Sequence, residues 1–173
     1  MAKESWMVYD KKNILKLKKD NKIKSEIVST EKHKSDYMSV FIDAYSGDKT
    51  ESSPYGEVNS EYIETLKNTY EFNNHITFIL YYNNEPAAVA TLCLIGNYGG
   101  IYGVGTKKSF RGQGLAKELM KRLINYYNEQ YNKYLFLQTE TNSAVEKFYK
   151  KLGFKKLFES EFYVNGGSDE QNE

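Results

Sequence analysis

Apolar residues along this chain recur at two periods, and the changes of period mark out its elements. From Lys34 to Tyr45 the positions Tyr37, Val40/Phe41 and Ala44/Tyr45 keep a three-four spacing, which predicts a helix with one buried face. Ser35 or Asp36 is its expected cap and Gly47 its stop. A second helix is expected from a cap at Asn59 or Ser60 to about Phe72, turning Tyr62/Ile63, Leu66 and Tyr70 inward. Between the two, Ser46 to Val58 is polar, holds Pro54 and Gly56, and reads as loop. The long helical pattern from Leu115 to Tyr127 repeats Leu115, Leu119, Leu123 and Tyr126. A last helix, capped by Asn142 or Ser143, runs to about Leu152 and stops at Gly153, with Val145, Phe148 and Leu152 as its packing face.

Strand patterns fill the intervals. Ile23–Ser29 reads as a first strand, Ile76–Tyr82 as a β-rich second, and Asn83-Asn84-Glu85-Pro86 as a turn. Ala87–Ile95 is small and apolar throughout, as a strand buried on both faces would be. Gly100–Thr106, Tyr134–Thr139 and a closing strand from Phe154 to about Val164 follow. The order is β-α-α-β-β-β-α-β-α-β. Antiparallel strands followed by a βαβ unit predict an α/β (α+β) fold, with a mixed, mainly antiparallel central sheet and helices on both faces. Residues 1–22 are expected to form an N-terminal arm. In it Trp6–Tyr9 reads as a short strand, and Lys11–Lys22 as a solvated helix or a loosely tied segment, or as one exchanged in a dimer or covering a substrate. Residues 23–164 then form a single domain and 165–173 a disordered tail.

Composition removes several classes of function. Basic and acidic residues nearly cancel, 24 against 23, so no overall basic charge calls for nucleic acid. Cys93 is the single cysteine and His33 and His75 are far apart, which argues against a disulfide or a structural metal site. Inside its strand, Cys93 is expected to be core and not a nucleophile. No run nears the ~20 apolar residues of a membrane span, and Met1–Trp6 lacks an apolar signal core. A cytoplasmic protein, monomer or homodimer, is the expectation.

The candidate chemistry gathers around Val104 to Ala116. A strand ends there, a basic turn follows, and a helix opens at Gly112 and Gly114. Glycine lets a ligand approach the backbone, and the first turn of a helix offers unpaired N–H groups and partial positive charge. Together they suit a phosphate. The nucleotide P-loop is excluded because no Gly-Lys-Ser/Thr ends the stretch, and the dinucleotide fingerprint because Lys108 stands where its third glycine would be.

Arg111-Gly112-Gln113-Gly114-Leu115-Ala116 resembles the Arg/Gln-x-x-Gly-x-Gly/Ala signature of the GCN5-related N-acetyltransferase (GNAT) superfamily. Thr139 to Phe154, with Phe148-Tyr149-Lys150-Lys151-Leu152-Gly153-Phe154, is similar to that family's Phe-Tyr-x-x-x-Gly-Phe ending. The resemblance covers about residues 23–164. It implies that the amides of Arg111, Gly112, Gln113, Gly114, Leu115 and Ala116 hold the diphosphate of acetyl-CoA. Val104 and Thr106 would pair with its pantetheine arm, in a gap where the next strand splays away near Tyr134–Thr139. Asn142 resembles the side-chain contact to coenzyme A, and Tyr149 the general acid. Seven residues apart, these two would share a helix face. Glu140, Tyr102 and Glu57 are candidate bases, and Lys107, Lys108, Lys147, Lys150 and Lys151 candidates for the 3′-phosphate. Ala116 replaces the signature's last glycine, and Thr106 stands at a position that is usually apolar.

The implied activity is transfer of an acetyl group from acetyl-CoA to a primary amine by direct attack. A tyrosine would protonate the leaving thiolate. Small-molecule and peptide amines are both possible acceptors. Acylation of a protein N-terminus or lysine, and a non-catalytic coenzyme A-binding regulatory module, are the alternatives. The loop 46–58 and the first two helices, with the chain's first residues as a further contributor, are expected to select the acceptor. Tyr37, Tyr45, Tyr55, Tyr62, Asp43, Glu57 and Glu61 are candidate lining for a cation.

Overall fold

The computed structural model describes residues 2–46, 60–68, 74–96, 98–131 and 133–162. Its elements are β1 (Ala2–Tyr9), β2 (Ile23–Ile27), α1 (Glu31–Tyr45), α2 (Ser60–Asn68), β3 (His75–Tyr82), β4 (Glu85–Ile95) and β5 (Tyr98–Thr106). After a single 3-10 turn at Lys108–Phe110 come α3 (Leu115–Gln130), β6 (Tyr134–Glu140), α4 (Ala144–Leu152) and β7 (Lys155–Phe162). From residue 23 onward the element order is the one the periodicity predicts.

The strands form one sheet in the order β2-β3-β4-β5-β6-β1-β7. Only β5 and β6 run parallel, and every other neighbouring pair is antiparallel. Asn83 and Asn84 join β3 to β4 at φ +51° and +64°, the left-handed pair that a two-residue hairpin requires. One side of the sheet packs against α3 and α4 through Leu119, Leu123, Leu135, Leu137 and Leu152. On the other side, Tyr37, Val40 and Phe41 of α1 cover Ile79, Tyr81 and Val89. The expected mixed sheet with helices on both faces is present.

The first strand changes the expected domain boundary. β1 is an inner strand, antiparallel to β6 on one side and β7 on the other. Met7 and Tyr9 are fully buried beneath α3 and α4. The segment after it is neither helix nor free arm. It lies along α3, tied by side chains that recur on one helical stripe. Glu118 accepts the Lys18 N–H (3.0 Å), and Lys121 donates to the Lys16 carbonyl (2.8 Å). Asn125 brackets Leu15, accepting its N–H (2.7 Å) and donating to its C=O (2.9 Å). Asn128 donates to Lys11 and Asn13. A chain without regular structure thus finds backbone partners on a helix face, which accounts for the burial of Glu118 and Asn125.

One helix start and one packing face also differ from expectation. Thr30, not Ser35 or Asp36, caps α1, its hydroxyl accepting the His33 N–H at 3.1 Å. Ser143 caps α4, and the buried face of that helix is Glu146, Tyr149 and Leu152, leaving Val145 exposed. The expected stop at Gly47, the expected loop Ser46–Val58 beyond its first residue, and the expected continuation of the second helix to Phe72 lie outside the described residues.

Candidate active site

The site begins with a defect in pairing. β5 and β6 are matched only at Tyr98–Tyr134, Gly99–Leu135 and Gly100–Phe136. Beyond that rung β5 stays on β4 as far as Thr106, and β6 stays on β1 as far as Glu140. The two strands therefore separate, and a V-shaped gap opens between Ile101–Thr106 and Leu137–Glu140. Its cause lies in β5. Thr91 pairs with Tyr102 and Val89 with Gly105, so Gly103 and Val104 together face Ala90. Gly103 takes φ +58°, and a Cβ there would press on the Phe41 ring at 3.3 Å. Such a bulge bends its strand and releases backbone groups from the ladder.

At the end of β5 the chain turns into α3. Gly112 and Gly114 have φ +78° and +77°, and a Cβ on either would meet nothing within 4 Å. Gly114 is the N-cap and supplies no side-chain acceptor. The first amides of α3 thus follow two left-handed glycines that have open space beside them. That arrangement fits a diphosphate through unpaired N–H groups and the helix dipole. Gln113 is exposed beside them, Leu115 is buried in the core and Ala116 is half-buried.

The basic residues of the turn act as braces. The Arg111 guanidinium donates to the Thr106 carbonyl (3.3 Å) and the Ala44 carbonyl (2.8 Å), joining the turn to the end of α1. Lys108 donates its N–H to Asp43 Oδ2 (2.6 Å) and its ammonium to the Ser46 carbonyl (2.7 Å). The Tyr45 hydroxyl donates to the Val104 carbonyl at 2.9 Å. Tyr37 is buried against Phe41. Tyr45, Asp43 and Tyr37 therefore hold α1 over the bulge, a structural use the acceptor-pocket reading did not foresee. Tyr55 and Glu57, and the side chains of Glu61 and Tyr62, lie outside the described residues.

Past β6 the chain enters α4. Tyr149 is on the buried face, packed edge-on to Phe148 (5.1 Å) and Phe154 (5.8 Å). Burial pushes its phenol well above the ordinary tyrosine value, so it keeps its proton at neutral pH. Asn142 does not share its helix face. It precedes the helix, exposed and at φ +64°, so helical spacing does not apply to it. Glu146 sets that geometry. Fully buried, it accepts the Asn142 N–H at 2.7 Å and the Ser5 hydroxyl at 3.2 Å, and pairs with Lys150 at 2.9 Å. The Lys150 ammonium and the Asn142 amide hold its carboxyl below the usual range. Glu140 is exposed at the end of β6, directly opposite Glu4 of β1. Of the proposed 3′-phosphate lysines, Lys108 and Lys150 are engaged by Ser46 and Glu146. Cys93 is buried, its thiol pushed up to about 11 by burial, as suits a core residue. Ser5 and Glu146 were not legible as site residues, since their contact joins positions far apart in sequence.

Residues 40–154, more than half of the chain, match the model of the acetyltransferase (GNAT) family. This chain belongs to that family. No curated protein matches it. Among solved structures, this GNAT chain is similar to a GCN5-related N-acetyltransferase from Kribbella flavida, at 16% identity and TM-score 0.62, covering 90% of this chain and 55% of that one. It is similar to the ribosomal-protein-S18-alanine N-acetyltransferase of Escherichia coli, at 16% identity and TM-score 0.63, covering 79% of each chain. It is also similar to an aminoglycoside acetyltransferase from an uncultured soil metagenomic sample, at 19% identity and TM-score 0.62, covering 84% of this chain and 97% of that one. The GNAT chain spans 55% to 61% of the length of the first three structures matched. Likeness at such identities concerns the fold. Among the described residues no helix is long and apolar enough to cross a membrane, and no cluster of side chains could hold a metal ion.

Proposed function

We infer that this GNAT protein transfers an acetyl group from acetyl-CoA to a primary amine. The observation that carries the reading is the open amide turn at Gly112–Leu115, set at the end of β5 where β5 and β6 part. When bound, acetyl-CoA supplies the acyl group as a thioester. The amides of residues 111–116 hold its diphosphate, Val104 and Thr106 line its arm, and the Asn142 side chain contacts it. Because the Val104 carbonyl already accepts from Tyr45, the N–H groups beside the bulge carry more of that pairing.

Tyr149 serves the leaving sulfur. A free thiol titrates near ~8.5, below a phenol near ~10, and burial raises Tyr149 further. Complete transfer of its proton is therefore uphill. Its main work is to donate an O–H hydrogen bond as negative charge develops on sulfur, and the proton then passes to the thiolate as solvent restores the phenol. Glu140, at the open end of the gap, takes the proton that the amine loses, directly or through water.

Relatives on this fold include an enzyme named for aminoglycosides and one named for a protein alanine. A small-molecule or peptide amine is thus the acceptor class. Isothermal calorimetry with acetyl-CoA, followed by thiol release across an amine panel, tests the reading. Tyr149→Phe should lower kcat by about 10²–10⁴ with acetyl-CoA affinity unchanged. No heat with acetyl-CoA or coenzyme A would remove the enzymatic reading, and an unchanged kcat would remove the role of Tyr149.

A further inference from the structure

Four neighbouring strands each place an aromatic ring on the sheet face opposite α3 and α4. Strand alternation sets the face. In β1, Ser5, Met7 and Tyr9 are buried, so Glu4, Trp6 and Val8 point the other way. In β6, Leu135, Leu137 and Thr139 are buried, so Phe136, Gln138 and Glu140 join them. The rings form a continuous row. Tyr102 of β5 meets Phe136 edge-on at 6.5 Å, Phe136 stacks with Trp6 at 6.1 Å, and Trp6 stacks with Phe158 of β7 at 5.5 Å. Trp6 Nε1 donates to Ser160 Oγ at 3.0 Å, which fixes the indole. Gly100 leaves room for the row, since a Cβ there would strike the rings of Tyr102 (2.6 Å) and Phe136 (3.0 Å).

The row begins at the last β5–β6 rung, so it borders the gap. Its two ends are exposed, Tyr102 at 39% and Phe158 at 53%, and Trp6 and Phe136 between them are half-buried. An apolar surface of this kind marks a contact site more often than chance. Among the described residues, the gap end of the row is acidic. Glu4 and Glu140 are direct cross-strand partners on this face, and Gln138 donates to Glu4 at 3.3 Å. Two carboxylates directly opposite each other make a negative potential that favours an ammonium beside them. Lys155, opposite Val8 on the same face, is spent on Asp10 at 3.0 Å.

We propose that this face is the acceptor subsite, built partly by the N-terminal strand, and that it takes a primary amine carried on a flat aromatic body. The body lies on the rings of Trp6 and Phe136, and the ammonium sits between Glu4 and Glu140. Trp6 and Glu4 are alternate residues of one strand, about 6.6 Å apart along it. That spacing suits an amine two or three bonds from a ring. The name acceptor rests on the acetyl-transfer reading, while recognition of the amine does not.

Trp6 is the single tryptophan of the chain, so its emission reports on the subsite directly. The full chain is titrated with 2-phenylethylamine without acetyl-CoA, with 2-phenylethanol and ethylamine as controls. A saturable change is expected with the amine, and at least about tenfold weaker apparent affinity for each control, the worth of one charge-assisted contact. Glu140→Gln, a change at an exposed strand end, should weaken the amine by a similar factor and leave the alcohol unaffected. Equal response to amine and alcohol, or none, overturns the proposal. So does an emission change that follows protein concentration alone, which would assign the face to a second copy of the chain. Calorimetry with acetyl-CoA separates the two claims. Heat with acetyl-CoA but a silent Trp6 sinks the subsite and spares the transferase. A responsive Trp6 with no coenzyme binding refutes the subsite's role as acceptor.

Discussion

Glu146 Oε2 accepts the backbone N–H of Asn142 at 2.7 Å, and that bond holds Asn142 at φ +64° ahead of α4. The same carboxylate accepts from Ser5 of β1. One buried group thus couples the first strand of the chain to the turn that presents Asn142. Glu146→Gln should cost about 2 kcal/mol, the worth of a charge-assisted hydrogen bond network reduced to a neutral one. Denaturant unfolding measures it. A change within error would mean that the cluster contributes little.

Acid stability should follow the same residue. Its carboxyl titrates below the ordinary value in the folded protein, through Lys150 and the Asn142 amide. The unfolded chain therefore binds that proton first as pH falls. The stabilisation is complete above the ordinary carboxylate range and is lost as pH drops through that value and then through the folded one. Tm against pH should fall more steeply on the acid side in the wild type than in Glu146→Gln. Parallel curves would dismiss Glu146 as the source.

The place of β1 sets a third expectation. Met7 is fully buried between β6 and β7. Met7→Ala should destabilise by about 2–5 kcal/mol, the range of a core truncation. Thermal unfolding gives the number. A loss near zero would return residues 1–9 to the status of a dispensable arm.

Asn125 brackets both backbone groups of Leu15, at 2.7 and 2.9 Å. Asn125→Ala leaves both without their partner, at about 1–3 kcal/mol, and should loosen residues 11–20 before the rest. Limited proteolysis followed by mass spectrometry should show early cleavage in that stretch. Identical cleavage patterns in variant and wild type would contradict the tether.

Gly112 at φ +78° combines a left-handed backbone with open space. Gly112→Glu places a carboxylate at the proposed diphosphate seat and strains the turn. Acetyl-CoA affinity should fall by about tenfold or more. Calorimetry reads it directly, and retained affinity would move the seat elsewhere.

By itself the sequence determined what depends on neighbours along the chain. The three-four and two-residue periods marked nearly every element from residue 23 to 162, because local spacing decides which side chains can share a face. Gly153 as a helix stop, Ser143 as one of two caps, and the glycines before α3 were legible because each answers a local backbone need. Tertiary structure decided what depends on distant partners. Trp6 to Tyr9 looked like a short strand, yet no local pattern says that it pairs between β6 and β7. Register is chosen by which remote strand completes the buried face and the backbone ladder. The bulge at Gly103 is visible only against Ala90 of β4. Asn142 left the helical face assigned to it because a buried carboxylate, itself held by β1, captured its amide. Burial and hydrogen bonding between remote segments are properties of the packed chain, and periodicity carries no record of them.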